Sequence, residues 1–389
     1  MGDKVPELSP ELQTVIAQHR YFAGGLRHQQ LLAEHLPKGH HWEIISVPLR
    51  ALFEAMSEGD KDWLVFASGD PLFYGIGVTL RREFPQAQVK TYPYFNSLQL
   101  LAHRFALPYG DYQTITLTGR DFHRFDAALM QGVAKMGVLT DRKNTPKSIA
   151  QRMLDYGYAN YTMYYGEKLG GEQERCLKLQ LEEAIALDFK HPNCFYLEKR
   201  DNHRPKKGLL ETDFEPLEGR PKMITKMPIR LATLALMNLQ NSSVFWDVGA
   251  CTGSVSIEAR LHYPHLRVCA FEIRPESAGI ISRNAQHFQC PGIDLSIGDF
   301  LQVDKAEKPR PDAVFIGGYG GQMAQILNEV DHYLEAAGTL AFNSVSEKSE
   351  KAFKSWCRQN HYALERVSTL QVDDHNPITI LVSKKNEKQ

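Results

Sequence analysis

The chain has 389 residues, of which 43% are hydrophobic and 23% charged. That composition excludes a largely disordered protein, and the length exceeds what one hydrophobic core usually supports, so two α/β domains are expected. A formal charge of -1 lacks the basic excess of proteins that grip many phosphates, and nucleic acid is not expected as a partner.

The predicted elements begin with strands over 21–23, 64–67, 89–92, 114–117 and 135–139, alternating with helices. Histidines are closest together at His35, His40 and His41, but no second group of ligands accompanies them, so a solvated loop is expected and no metal site. Directly after the second strand, 66–77 is dense in turn formers: Ser68-Gly69-Asp70-Pro71 and then Phe73-Tyr74-Gly75. Its composition fits either a ligand-facing loop or a packed turn with Asp70 as a helix N-cap. Antiparallel strands are expected over 160–167 and 193–197, around a helix over 173–186. Glu198 to Pro221 has little apolar periodicity and reads as a linker, giving domains 1–204 and 205–389.

In the second half, strands over 244–248, 267–272, 294–297, 313–316 and 339–344 alternate with helical patterns, the sign of a Rossmann-like, doubly wound parallel sheet. Apolar runs such as 231–237 are too short to span a membrane, and no signal-peptide apolar core is present. The six cysteines, Cys176, Cys194, Cys251, Cys269, Cys290 and Cys357, form no C-x-x-C pair. Reduced thiols and a cytoplasmic protein are expected.

The chemistry concentrates where Trp246-Asp247-Val248 ends a strand and Gly249-Ala250-Cys251-Thr252-Gly253 leads into a helix. Small residues there let a ligand approach the backbone. Glu272 ends the next strand, where an acid commonly accepts hydrogen bonds from ribose hydroxyls. The glycines are spaced G-x-x-x-G, with an acid two positions earlier. This departs from the G-x-G-x-x-G of dinucleotide sites and favours S-adenosylmethionine, whose amino-acid end and sulfonium suit Asp247. The plain structural alternative is a tight turn at Gly249 and Gly253, with Glu272 as a helix-terminal charge. Asp299 ends the third strand, where an adenine contact commonly sits, though Gly298-Asp299 is also a turn signal.

The stretch WDVGACTGSVSIEA over 246–259, DAVFIGG over 312–318, Gly320-Gly321 and Ile224-Thr225-Lys226 resemble the decarboxylating C15-methyltransferases of the cobalamin pathway. The resemblance implies that Thr225, Asp247, Gly249, Ala250, Cys251, Thr252, Gly253, Glu272, Asp299, Phe300 and Gly317 hold S-adenosylmethionine. It also implies that Gly317, Gly318 and Asn343 line the mouth of a tetrapyrrole pocket. Cys251 departs from the family pattern, which usually has glycine there. If it needs positive φ, the cost is on the order of 1 kcal/mol.

The loop over 66–77 resembles the S-G-D-P-x-F-Y-G loop of corrinoid C5-methyltransferases, which belong to the tetrapyrrole methylase superfamily. Gly24-Gly25-Leu26-Arg27-His28, Asn96-Ser97-Leu98-Gln99, Thr118-Gly119-Arg120-Asp121, Leu139-Thr140-Asp141 with Asn144-Thr145-Pro146, and Glu167-Lys168-Leu169-Gly170 agree in order. The resemblance implies cofactor contacts at Gly69, Asp70, Pro71, Phe73 and Ser97. The two halves together resemble the fused decarboxylating C5,15-methyltransferases that act on precorrins. Superfamily members open with a strand and a Gly-rich loop, whereas here only Met1-Gly2-Asp3 precedes the matching segment. The expectation is a start codon upstream, the other reading being a first domain without its first strand.

A precorrin carries carboxylates around a flat ring, so Arg27, His28, Lys226 and Arg230 are expected carboxylate contacts. The substrate is then a small tetrapyrrole, with neither membrane nor nucleic acid involved, and homo-oligomers are common among relatives of the second domain. A live second domain beside a scaffolding first one, an RNA or small-molecule methyltransferase, and a nicotinamide oxidoreductase are the alternatives weighed.

Overall fold

A computed structural model of the chain describes residues 7–220, 223–374 and 376–386. The opening Met1-Gly2-Asp3, on which the expectation about the start turns, lies outside them. Two compact units form. The first takes the described residues up to Arg120, with Ala134–Gln151 and Asn160–Arg200. The second takes Asp121–Val133, Arg152–Ala159 and the chain from Asp201 onward. Among the described residues no helix is long and apolar enough to cross a membrane.

In the first unit β1 (Tyr21–Gly24), β2 (His41–Ile44) and β3 (Trp63–Val65) form a parallel sheet in the order β2-β1-β3. The strand expected over 89–92 does not form. Val89 is exposed and Pro93 offers no N–H to a ladder, so the apolar alternation there finds no partner. A second sheet, in the order β4-β5-β8-β6-β7, joins β4 (Gln113–Thr116), β5 (Lys135–Leu139), β6 (Tyr161–Glu167), β7 (Arg175–Gln180) and β8 (Asn193–Lys199). Only the β4–β5 pairing is parallel. The helix expected over 173–186 is a correction: β7 takes Arg175–Gln180, and only Leu181–Ala184 is helical. Leu177, Leu179 and Leu181 recur with period two, and β6 offers an edge for that period to pair with. The Gln180/Glu183 capping box marks where the short helix begins.

The second unit is built on β9 (Val244–Val248), β10 (Arg267–Glu272), β11 (Ile293–Ile297), β12 (Ala313–Ile316), β13 (Thr339–Ser344), β14 (Tyr362–Leu370) and β15 (Ile378–Lys385). Their order is β11-β10-β9-β12-β13-β15-β14. The five expected strands are present and parallel, but β15 runs antiparallel to both β13 and β14, so the sheet is mixed. This hairpin escaped the sequence because β14 is an edge strand with mostly exposed residues and lacks a buried apolar run. Every residue of β9 is buried. Its alternation sends Val244, Trp246 and Val248 into the core formed with helices Met323–Tyr333 and Glu347–Gln359. Phe245 enters the opposite core, against helices Met227–Met237 and Ser254–His262. Asp247 shares that second face, which aims its carboxylate at the first turn of helix Ser254–His262.

The segment leading into the second unit is fastened by a buried ion pair. Arg230 and Glu258, both 0% exposed, meet at 3.1 Å. Glu258 also accepts from the backbone N–H of Gly208 at 2.6 Å and of Leu209 at 3.1 Å, and from His262 Nε2 at 3.0 Å. Burial alone would raise the Glu258 carboxyl, but these donors hold it below the usual carboxylate range. Arg230 donates in turn to Leu209 O and, at 2.6 Å, to Thr225 O. The expectation that Arg230 contacts substrate carboxylates is therefore corrected: its guanidinium is buried and committed. Arg230→Leu is expected to lower the unfolding free energy by about 3–5 kcal/mol in urea titration, because it strands a buried carboxylate. The Arg230→Leu/Glu258→Leu double variant should cost less than the sum of the two single changes.

Candidate functional site

The turn after β9 passes through three left-handed residues, Gly249 (φ +80), Cys251 (φ +55) and Gly253 (φ +77). Gly249 has a second reason to be glycine: a Cβ there would lie 2.6 Å from Gly318 N. That close approach comes from Gly317 and Gly318 donating to Val248 O at 2.8 and 3.2 Å. Cys251 does sit at positive φ, where an L side chain costs about 1 kcal/mol or more. Two bonds hold it there: its N–H donates to Glu272 Oε2 at 2.7 Å, and its thiol donates to Met223 O at 3.0 Å. Glu272 Oε1 accepts from Arg274 through N at 3.1 Å and Nη1 at 2.8 Å. Sequence reasoning missed Arg274, although a cation two residues past a strand-end acid is a visible signal.

Asp247 is 1% exposed. Its Oδ2 accepts from Ser256 N at 3.0 Å and Ser256 Oγ at 2.6 Å, while its Oδ1 has no partner among the described residues. Burial pushes the carboxyl up to about 7, helped by the charge of Glu272 and opposed by the Ser256 donors. An unpaired buried carboxylate oxygen of this kind is costly unless a donor arrives.

A cleft of about 490 Å³ opens at this point, within the size range of small-molecule sites. Asp247, Gly249, Ala250, Cys251, Gly317, Thr225, Lys226 and Asn343 all line it, as does the missed Ser254. Leu370, Val372, Asn376 and Ile378 bring the β14–β15 hairpin to the lining, and that wall was not foreseen. Strand order puts the turn after β9 at one side and the hairpin three to four strands away at the other. Lys226 lies 4.0 Å from the exposed Asp373 carboxylate. Asn343 Oδ1 accepts from the Thr233 hydroxyl at 3.0 Å, and its buried Nδ2 has no partner among the described residues.

Five expected cofactor contacts, Thr252, Gly253, Glu272, Asp299 and Phe300, stand beside the cleft rather than on its lining, as does Gly318. Phe300 is a core ring, 5.1 Å from Phe271 and 6.2 Å from Trp246. Asp299 folds its carboxylate back onto Leu301 N at 3.0 Å, although Gly298 N bonds Glu272 O at 2.9 Å and so keeps the Asp299–Phe300 corner beside the acid. Thr252 is buried, its carbonyl accepting from Asn284 Nδ2 at 3.0 Å. Gly253 faces Ile281.

In the first unit, Gly69 (φ +79) packs 3.3 Å from the backbone of Phe95 and Asn96 as judged by an added Cβ. That contact brings the Ser68-Gly69-Asp70-Pro71 loop against Ser97, at the start of helix Ser97–Phe105, whose cap is a reciprocal Asn96/Gln99 box. Asp70 is not a helix N-cap: it accepts from Leu72 N at 2.8 Å, and helix Ile76–Glu83 is capped by Gly75. Pro71 O accepts from Gly77 N at 3.0 Å, and a Cβ on Gly75 or Gly77 would strike that carbonyl. Phe73 meets Tyr74 edge-on at 5.1 Å and packs against the Leu98 and Leu101 cluster.

His28 is a second correction. It is buried; Nδ1 lies 3.3 Å from Gly25 N–H and accepts from it, so the proton sits on Nε2, 3.0 Å from Ser68 Oγ. Burial above all, with the Arg27 charge a lesser cause, pulls it down to about 4, so it is neutral near pH 7 and cannot serve as a cationic carboxylate contact. Arg27 reaches the same Ser68 oxygen at 3.5 Å. Asp141 and Asn144 prove to be loop braces. Asp141 accepts from Gly119, Lys143 and Asn144 backbone N–H groups, and Asn144 Nδ2 donates to Leu117 O and Arg120 O.

Two family models match. Residues 219–383 match the precorrin methyltransferase domain, and residues 21–185 match the tetrapyrrole (corrin/porphyrin) methylases. A Sinorhizobium precorrin-6Y C(5,15)-methyltransferase [decarboxylating] is 29% identical over 374 residues, covering 95% of this chain and 88% of that one. A Salmonella typhimurium cobalt-precorrin-6B C(15)-methyltransferase (decarboxylating) is 30% identical over 183 residues, 44% of this chain and 94% of that protein. The cobalt-precorrin-7 C(5)-methyltransferase of the same organism is 29% identical over 196 residues, 50% of this chain and 93% of the relative.

Gly249→Ala is expected to lower stability by about 2 kcal/mol in thermal or urea unfolding, since the new methyl meets the Gly318 backbone. Gly219→Ala, also at positive φ but with nothing within 4 Å, should cost about half as much.

Proposed function

Since the chain belongs to the family of decarboxylating precorrin methyltransferases, we propose that it methylates a precorrin at C5 and C15 from S-adenosylmethionine and releases the ring C acetate carboxyl as carbon dioxide. The observation that carries this reading is Asp247 Oδ1, a buried acceptor on the wall of the cleft that finds no donor among the described residues. It fits the α-ammonium of an amino-acid moiety, and Gly249 lines the cleft beside it. Glu272 Oε2, which among the described residues accepts from Cys251 N alone, keeps an accepting site for a ribose hydroxyl.

Bound S-adenosylmethionine supplies an electrophilic methyl group on its sulfonium. The residues of the chain bind, orient and exclude water. Thr225, Ala250 and Cys251 would hold the amino-acid end, Lys226 and Asn343 Nδ2 would receive substrate carboxylates, and Leu370, Val372 and Ile378 would cover a flat apolar ring. Alignment in a dry cleft is the main rate contribution open to such a site. When the carboxyl leaves, the broken carbon–carbon bond passes its electron pair into the conjugated macrocycle, so no nucleophilic side chain is required. The C5 reaction belongs to the first unit. There Gly69, Asp70, Pro71, Phe73 and Ser97 would border the second cofactor site, with Arg27 at its edge.

Calorimetric titration of the chain with S-adenosylmethionine should give two sites, one of them lost in Glu272→Ala. One site in all would leave the first unit a scaffold, and none would overturn the reading.

Asp247 makes the affinity of the second site pH-dependent. With its carboxyl near 7 in the free protein, binding an ammonium group requires the ionised form and releases a proton below that pH. Affinity should therefore drop by up to about tenfold per pH unit below 7 and level off above it. The sign for stability is opposite. The raised carboxyl favours the protonated folded state, so ligand-free stability is full below the ordinary carboxylate range and declines as pH rises toward 7. Thermal shifts with and without the cofactor, from pH 5 to 8, should diverge in that direction, and Asp247→Asn should remove the divergence.

A further inference from the structure

We propose that Cys251 is a positioning residue whose thiol, donating to Met223 O, closes the Met223–Lys226 segment over the amino-acid end of the cofactor and so sets how long the cofactor stays bound. This rests on the cofactor reading of the cleft. Met223, Thr225, Lys226 and Cys251 line the same cleft as Asp247, whose unpaired Oδ1 marks where a charged donor is to sit.

Among the described residues, two side chains hold carbonyls of this segment. At its far end Arg230 Nη1 holds Thr225 O at 2.6 Å, and Ile224 packs beside Leu209, Phe214 and Phe288. At its near end the carbonyl of Met223, a residue 37% exposed, is held by Cys251 Sγ at 3.0 Å. Arg230 is locked in its ion pair with Glu258. The thiol bond is a single hydrogen bond from a weak donor and is the one suited to open when ligands exchange.

Backbone conformation aims the sulfur. Cys251 sits at φ +55, fixed by its N–H on Glu272, and from there its side chain reaches the overlying carbonyl. Glycine would take this backbone without strain but could not tether the segment; alanine would keep the strain without the bond; serine would keep both. The thiol is also suited to lie beside a methyl donor. Burial, with the Glu272 charge, pushes it up to about 11, so it remains an S–H donor at neutral pH instead of a thiolate that could attack the sulfonium.

The test uses the full chain and its Cys251→Ser, Cys251→Ala and Cys251→Gly variants, with calorimetry and stopped-flow dissociation of S-adenosylmethionine. Ala and Gly should raise Kd at the second site about three- to tenfold through faster dissociation. KM for the cofactor should rise while kcat at saturation stays the same or increases. Ser should remain within about twofold of the wild type on the same scale. The unfolding temperature of the ligand-free Gly variant should not fall, which separates the lost tether from misfolding. If wild type binds and the Ala and Gly variants bind equally tightly, the tether is overturned and the cofactor reading stands. If no form binds, both fall.

Discussion

The second unit depends on a carboxylate that reaches across from one strand end to the next. Glu272, at the end of β10, takes the N–H of Cys251 at 2.7 Å and is itself held by Arg274. That bond fixes the middle of a turn whose first, third and fifth residues are all left-handed. With the turn fixed, Gly249 lies against Gly318, the loop after β12 is drawn to the end of β9, and Asp247 presents its carboxylate to helix Ser254–His262. The floor of the cleft is thus one cooperative arrangement of backbone and acid, and loosening any part exposes donors or acceptors that have no other partner.

The buried acids of this unit differ in how fully they are satisfied, and that difference separates a brace from an acceptor left open. Glu258 collects two backbone N–H groups, a histidine and an arginine, which suits a brace. Glu272 collects three donors and keeps room for one more. Asp247 is satisfied at one oxygen only. Folding alone gives no gain from leaving a buried carboxylate half-paired, whereas a binding site for a cation gains from an acceptor already desolvated and aimed.

Much of this was legible in the sequence. The strands that form parallel pairs in the second unit are buried apolar runs closed by small residues, and such runs announce themselves. The antiparallel strands expected over 160–167 and 193–197 form because they too are buried runs, whereas 89–92, 173–186 and the β14–β15 hairpin were misread because strand pairing there depends on whether a neighbour offers a free edge, which no local pattern reveals. The same limit applies to side chains. Asp247, Glu272 and Gly249 could be picked out because spacing places them at the strand ends. The opposite fates of Arg230 and Asn343, one sealed in an ion pair and the other opening on the cleft, depend on which face a helix or strand buries. Arg230 and Lys226 are four residues apart at the start of the same helix and looked equally available.

The first unit prepares its loop by other means. Its turn is set by Gly69 against the Phe95–Asn96 backbone and by Gly75 and Gly77 against the Pro71 carbonyl, contacts that involve no ionisable group. The histidine that reaches the loop, His28, is buried and neutral, so it holds Ser68 by hydrogen bonding alone. Near neutral pH, acid therefore acts on the two units unequally. It changes the charge that the second cleft offers its ligand, through Asp247, and leaves the geometry of the first loop as it was. Two sites for one cofactor in a single chain would then be separable by pH without altering either fold, because one is built around an unpaired carboxylate and the other around glycine contacts.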